Sequence, residues 1–284
     1  MKGDLFIFPG LLIEGFSRPT KKFADYKITF GRAQIEEFAD QIANFSDEAM
    51  GRAQTDLNML IHDLRSISTT IYNAAEEAHS LINLNKNHEA AQRIKNVIAA
   101  QTILKIRTDV LDLAGNPSAD LTEVDVPIFQ RVDKVCRCFK PRASELGQII
   151  TLTGKSRRMA KGPNVFEIIP YVLIDNALKY ASRGHEVVVD VNDVSYGVEL
   201  TVSSPGPEIG REELVHIFDK GVRGKHAVDT GKEGSGIGLY LASRIVSENF
   251  GGTISANQDS GQQGAHRLLN TTFVVRIPIG APSK

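Results

Sequence analysis

The chain has no tryptophan and only two cysteines among its 284 residues. Without Trp there is no Trp-anchored belt for a membrane interface. The cysteines, Cys136 and Cys138, stand two apart on a stretch that reads as helix, so their side chains diverge. No His or Cys cluster lies nearby to complete a metal site, and they are read as helix-surface or core thiols. Strong charge is missing too. The formal net charge is −1, which gives no field favouring nucleic acid or an anionic membrane surface. No uncharged apolar run approaches the roughly 18 residues of a membrane span. The stretch Leu5 to Ile13 is short, contains Pro9 and Gly10, and lacks a secretory signal pattern. These absences predict a soluble, cytoplasmic protein with no membrane span and no nucleic-acid partner. What is present is an apolar fraction of 42%, enough to bury a core.

Four zones are visible along the chain. Residues 1–31 are irregular, with aromatics, Pro9 and Pro19, and name no role. Residues 32–115 are helix-forming and free of Pro, interrupted once by the polar turn-like run Asn83 to His88. Residues Asn116 to Asp120 read as a linker, and 121–284 form the last zone. In the second zone Leu57, Leu60, Ile61, Leu64, Ile67, Ile71, Ala74, Ala78 and Leu81 recur at spacings of three and four. That is one buried stripe on a first helix. Ile94, Val97, Ile98, Leu104 and Leu111 do the same on a second, which Gly115 and Pro117 stop. Two helices with a short connection pack antiparallel. Because a pair buries its faces poorly alone, two copies are expected to form a four-helix homodimer.

The last zone mixes both periodicities and reads as an α/β sandwich. An edge strand is expected from Val124, a helix over Pro127 to Leu146, and a strand over Gln148 to Thr153. A long apolar helix is expected over Pro163 to Ser182. Glu186 to Val191 and Val198 to Val202 should pair as strands. A helix over Leu239 to Asn249 and strands over Gly252 to Ala256 and Phe273 to Pro278 close the fold.

His62 sits on the first helix in MLIHDLRS. At about 100° per residue it points roughly 160° from the apolar stripe, toward solvent. A neutral imidazole is a good nucleophile near pH 7. Asp63 can take or orient its proton, and Ser66, at i+4, shares its side of the helix. An ordinary surface His-Asp pair has the same appearance.

Four further clusters follow. In DNALKYA, Asn176 offers a neutral oxygen suited to Mg²⁺, Lys179 a point charge for phosphate on the same face, and Tyr180 a ring; a capped helix end is the alternative. In SSPGPEI, Ser204 can bond a base edge and Gly206 lets backbone approach a flat ligand; a plain Pro-Gly turn is the alternative. In HIFDKGVRG, Lys220 and Arg223 are candidate phosphate contacts, and the polar loop Gly221 to Glu233 can close as a lid. In GSGIGLYL, Gly234, Gly236 and Gly238 run into a helix that starts at Leu239, a nest and helix N-terminus of the kind phosphates need.

In this order the clusters resemble the catalytic domain of sensor histidine kinases, within the gyrase, Hsp90, histidine kinase and MutL ATPase group. DNALKYA is similar to the N box, SSPGPEI to the first glycine box, HIFDKGVRG to the F box, and GSGIGLYLASRIVSENFGG to the second glycine box. HDLRS resembles the H box. The resemblance implies ATP and Mg²⁺ as cofactors, Asn176 on the metal, and Lys179, Tyr180, Gly234, Gly236, Gly238 and their neighbours on the nucleotide. It implies His62 as phosphoacceptor with Asp63 as base. It implies a phosphatase signature over Asp63 to Ser66, with Ser replacing the usual Thr or Asn. A response-regulator receiver domain is the implied partner. Two positions depart from the pattern. Ser204 stands where an acidic or amide residue accepts from the adenine amino group. Val172 stands where a second Asn, or in hydrolysing relatives a Glu, is usual.

The expectation is therefore an α plus α/β chain. It has an N-terminal segment (1–31), a dimerisation and phosphotransfer hairpin (32–115), and an ATP-binding catalytic domain (121–284). It phosphorylates itself on His62 and passes the group to a receiver aspartate. The alternative is an inactive phosphotransfer or docking protein with a degenerate ATP-binding domain. A third reading, serine phosphorylation of a partner, would leave His62 unused.

Overall fold

A computed structural model describes residues 31–116, 122–181, 183–225, 236–259 and 268–279. Residues 1–30, most of the expected linker and Gly234 lie outside these, as does the side chain of Asp63. The chain separates into two compact units, Met1–Asn58 and Met59–Lys284. In the first, the described residues begin α1 (Arg32–Asn83), and Gly31 N–H donates to Gln34 Oε1 at 3.0 Å at its start.

In the second unit α1 ends in a Schellman turn. Asn85 takes φ +56°, a left-handed conformation that Asn tolerates better than most residues. Lys86 N–H then reaches Leu81 O and Asn85 N–H reaches Ile82 O, both at 2.9 Å, which satisfies the last carbonyls of the helix. Helix α2 (Asn87–Gly115) follows, so the expected interruption falls where the polar run stands. Across the turn Arg93 Nε meets Glu77 Oε2 at 2.8 Å. Ala78 and Ala90 are buried.

The face that α2 buries differs from the expected one. Ile94 and Ile98 are exposed, whereas Ala90, Ala100, Ile106 and Leu113 are buried. Ile106 and Leu113 belong to the core of the α/β layer, with Ile103 and Val110 packed against it. These four positions recur at i, i+3, i+7 and i+10, a second helical stripe. The helix is apolar on more than one side, and the α/β layer selects which side is covered. Truncating Ile106 to Ala would cost about 2–5 kcal/mol on the usual scale for a core aliphatic.

The α/β layer runs β1 (Glu123–Pro127), α3 (Ile128–Glu145), β2 (Ile149–Lys155), β3 (Met159–Pro163), α4 (Ile168–Tyr180), β4 (Glu186–Val194) and β5 (Gly197–Gly206). It continues with α5 (Arg211–His216), α6 (Gly238–Arg244), a π-helical turn (Ile245–Asn249), β6 (Thr253–Gln258) and β7 (Leu269–Pro278). The main sheet has the order β2-β4-β5-β7-β6, and β1 pairs with β3 in a separate two-stranded sheet. The β2–β4 pair is parallel; the other neighbours are antiparallel. Inward residues of the strands alternate with outward ones, as in Val187, Val189 and Val191 of β4. The helical region followed by an α/β sheet domain is the expected fold class.

Two expectations on this layer are corrected. The long helix from Pro163 to Ser182 is instead the end of β3, a turn, and a helix from Ile168 to Tyr180. Pro163 pairs with Glu123 at the strand end. Glu167, at the helix start, is gripped by Arg131 at 2.6 Å and Lys134 at 3.1 Å from α3. Residues Ser203 to Gly206 lie inside β5, paired with β7, not after the strand.

Cys136 and Cys138 are both buried and free. Burial pushes the Cys136 thiol up to about 12. Burial also raises Cys138, against a hydrogen bond to the Thr102 side chain of α2. Both are core thiols.

Candidate functional site

Helix α4 carries the first group of candidate residues on its last turn. Asn176, Lys179 and Tyr180 are half-buried, while Val172, Leu173, Ile174, Ala177 and Leu178 face the core. Asp175, beside Asn176, is occupied: Arg142 Nη1 of α3 meets its Oδ1 at 2.5 Å. The end of the helix is held by Gln148, whose Nε2 donates to Leu178 O at 3.1 Å and Ala181 O at 2.8 Å. That buried amide satisfies carbonyls the helix leaves open directly beneath Lys179 and Tyr180. Sequence reading missed it because a lone polar residue before a strand carries no periodic signal. Lys179 Nζ lies 5.4 Å from the centroid of the Tyr180 ring. Burial raises the Tyr180 phenol, and the positive charge of Arg223 draws it partly back, which places Arg223 in the electrostatic field of the N-box residue.

The segment after α5 meets the second glycine segment through backbone. Gly221 N–H donates to Gly236 O at 3.2 Å. Gly221 has φ +77° and Gly236 φ +69°. A Cβ on Gly236 would stand 2.7 Å from Gly221 C and from Val222 O. Only glycine fits, by conformation and by space. Gly238 opens α6, and a Cβ there would lie 3.3 Å from Val172 Cγ1. Val172 thus packs where α4 meets the N-terminus of α6. Leu239 is partly buried against the core. Phe218 packs edge-on against Phe273 of β7, with centroids 6.4 Å apart.

The candidate residues are brought together unevenly. Asn176, Lys179, Tyr180, Arg223, Gly236, Gly238 and Leu239 come from segments in mutual contact, with Ser204 and Gly206 on the neighbouring strand β5. Lys220 is exposed. Glu213, which sequence reading passed over, fixes the approach to the loop. Its two oxygens accept from Gly210 N–H at 3.0 Å and Lys225 N–H at 2.6 Å. Those amides hold its carboxyl below the usual range. On α1, His62 and Ser66 are exposed, as a position off the apolar stripe requires.

Helix α2 also touches α4. Arg107 Nε donates to Tyr171 Oη at 2.6 Å. Burial raises the Tyr171 phenol, with the Asp175 carboxylate adding to the effect and Arg107 opposing it. Arg107, Tyr171, Asp175 and Arg142 therefore form a polar seam between α2 and the helix that bears Asn176.

A helix ending in a polar cluster, glycine backbone laid against it and a helix N-terminus behind that glycine make a phosphate-accepting arrangement. Residues 167–281 match the histidine kinase-, DNA gyrase B- and HSP90-like ATPase family, and this segment is a domain of that class. The relatives that match over most of the chain are sensor histidine kinases. The chain is 26% identical over 247 residues to the sensor histidine kinase CusS of Escherichia coli O6:H1, covering 86% of this chain and 47% of that protein. It is 30% identical over 216 residues to the adaptive-response sensory kinase SasA of Crocosphaera subtropica, covering 69% and 53%. The chain thus spans about half the length of these curated relatives. Among solved structures, the catalytic domain of histidine kinase ThkA aligns with a TM-score of 0.47 at 16% identity, over 56% of this chain and 98% of that one. No described helix is long and apolar enough to cross a membrane.

Proposed function

We propose that the chain is an ATP-dependent protein histidine kinase of two-component signalling. It labels itself on His62 and passes the phosphoryl group to an aspartate of a response-regulator receiver domain. The observation that carries this reading is the packing of the Asn176 helix, through Val172, against Gly238 at the start of α6, beside the Gly221–Gly236 backbone pair, together with an exposed imidazole on α1. In this reading residues 32–115 serve as the dimerisation and phosphotransfer hairpin of a homodimer. Residues 121–284 bind ATP.

The roles follow from the chemistry of each group. Gly234, Gly236 and Gly238 present backbone N–H groups and a helix N-terminus to the phosphates. Lys179, Lys220 and Arg223 supply positive charge, and Tyr180 and Gly206 present flat or bare surface to the nucleoside. Asn176 fits a Mg²⁺ ion, which takes one or two protein oxygens and completes its shell with phosphates and water; Asp175 is already committed to Arg142. The bound ion neutralises phosphate charge. In the transfer, a ring nitrogen of His62 attacks the γ-phosphorus, an N–P bond forms, the P–O bond to ADP breaks, and Asp63 accepts or orients the proton on the other nitrogen. Val172 has no group to activate water, which favours transfer over hydrolysis. Ser66 is the candidate for orienting water in a phosphatase reaction.

Incubation with γ-labelled ATP and Mg²⁺ tests the reading: it requires acid-labile label on the chain. Absence of label would favour a non-catalytic phosphotransfer or docking protein, a reading supported by Ser204 and by Val172 packed against Gly238. Acid-stable label would point to a hydroxyl acceptor.

A further inference from the structure

The α/β layer is seated on helix α2. Ile106 and Leu113 belong to its core, and Ile103 and Val110 pack against it. Apolar contact of this kind has no direction of its own. A layer displaced by one helical turn, about 5.4 Å, would still meet Ala100, Ile103, Ile106 and Val110. The apolar stripe alone therefore leaves the height of the layer on α2 open. One polar contact closes it. Arg107, inside the same stripe, donates from Nε to Tyr171 Oη of α4 at 2.6 Å. The phenol cannot follow a slip, because Tyr171 is buried and its ring lies against Phe139 of α3, with centroids 5.4 Å apart. One turn on along the same face of α4, Asp175 meets Arg142 of α3 at 2.5 Å, and Asn176 follows directly. A shift by one turn breaks the bond from a charged donor to a buried acceptor, which is how a polar group inside an apolar contact specifies register.

The height of this pin on the hairpin follows from another ion pair. Arg93 of α2 meets Glu77 of α1 at 2.8 Å. Fifteen residues back from Glu77 stands His62, and fifteen residues on from Arg93 stands Thr108. Both helices run unbroken over those spans. At about 1.5 Å per residue, His62 and Thr108 each lie about 22 Å along the hairpin from the ion pair. Arg107 therefore stands level with His62 to within about one residue's rise, near the middle of the seat from Ile103 to Leu113.

Resting on the histidine kinase reading above, we propose that Arg107 and Tyr171 are positioning residues for the phosphoryl transfer. They pin the Asn176 helix to α2 at the height of His62, so that nucleotide and acceptor share one level along the hairpin. Neither residue touches the nucleotide. Their effect is on alignment, which a displacement of even about 1 Å can cost a hundredfold in rate.

The test is the initial rate of acid-labile labelling of the full chain over a range of ATP concentrations with Mg²⁺, beside displacement of trinitrophenyl-ATP by ATP. Tyr171→Phe keeps the ring against Phe139 and removes only the hydroxyl. It should lower the rate at saturating ATP by about tenfold or more and leave displacement within about twofold. Arg107→Gln should do the same, and Arg107→Lys, which keeps a charged donor, should recover part of the rate. Tyr171→Phe and Arg107→Gln together should cost no more than either alone, because they break one bond. Melting curves check that each variant is folded at the assay temperature; if Tyr171→Phe is not, the two Arg107 variants carry the test. A saturating rate that is unchanged or raised, or a loss matched by weaker ATP displacement, overturns the positioning role and leaves the kinase reading standing. No acid-labile label on the unaltered chain overturns the kinase reading and the positioning role with it.

Discussion

The proposed acceptor side and the proposed nucleotide side of this chain are built to opposite specifications. His62 and Ser66 stand exposed on α1. Gly236, by contrast, lies so close to Gly221 and Val222 that a single added methyl would collide with backbone. A nucleophile that must be reached from outside needs only the right phase on a helix. A surface that grips phosphate with main-chain amides needs neighbouring segments pressed together, and that closeness dictates residue type atom by atom.

His62→Ala tests the exposed side and should have the largest effect. Labelling from γ-labelled ATP should vanish while displacement of a fluorescent nucleotide is unchanged. Label retained on that variant would move the acceptor elsewhere. Gly236→Ala probes the packed side, where both the positive φ and the 2.7 Å contacts oppose a side chain. A cost of about 1–3 kcal/mol is expected from the backbone strain alone, with weakened nucleotide binding beside it, read by melting and displacement. Gly184→Ala is the control, because Gly184 has φ +81° and nothing within 4 Å of an added Cβ; it should lower stability but leave binding intact. Equal binding in both variants would erase the contrast.

Tyr171→Phe should cost about 1–3 kcal/mol in denaturant unfolding, because it removes the hydrogen bond that the charged Arg107 guanidinium makes to the buried phenol oxygen. A double-mutant cycle with Arg107→Ala should show a coupling of about 1 kcal/mol; no coupling would mean that the seam holds nothing together. The smallest effect concerns Glu213. Its folded carboxyl is depressed by the Lys225 and Gly210 amides. Its contribution is therefore present above the ordinary carboxylate range and is lost as pH falls through the depressed value. Acid should lower the melting temperature of the unaltered chain more steeply than that of Glu213→Gln. Parallel slopes would show that the tie is inert.

Helices α1 to α3 and α6, the two strands beginning near Glu186 and Val198, and the glycine segments were legible because each rests on local periodicity or on glycine chemistry; the short helix α5 was not. The missing parts depend on distant partners. Strand β3 has no clean alternation; its Gly162 is fixed by the Phe250 ring, where a Cβ would lie within about 3 Å. The start of α4 depends on two cations from α3 reaching Glu167. On α2 the sequence offers apolar residues on several sides, and only docking on the α/β layer chose Ile106 and Leu113 over Ile94 and Ile98. Of the candidate site, the residue types were readable but their supports, Gln148 and Glu213, were not. A single amide or carboxylate bonding to backbone leaves no pattern in a sequence.

The hydrogen bond from Gly221 to Gly236 has a further consequence. It fastens the two stems of the intervening loop to each other, so the span of that loop no longer sets the spacing of its ends. Closing a longer loop costs only a logarithmic increment of entropy. A reporter peptide spliced between the two stems should therefore leave their register intact, giving an experimenter a handle beside the proposed nucleotide site.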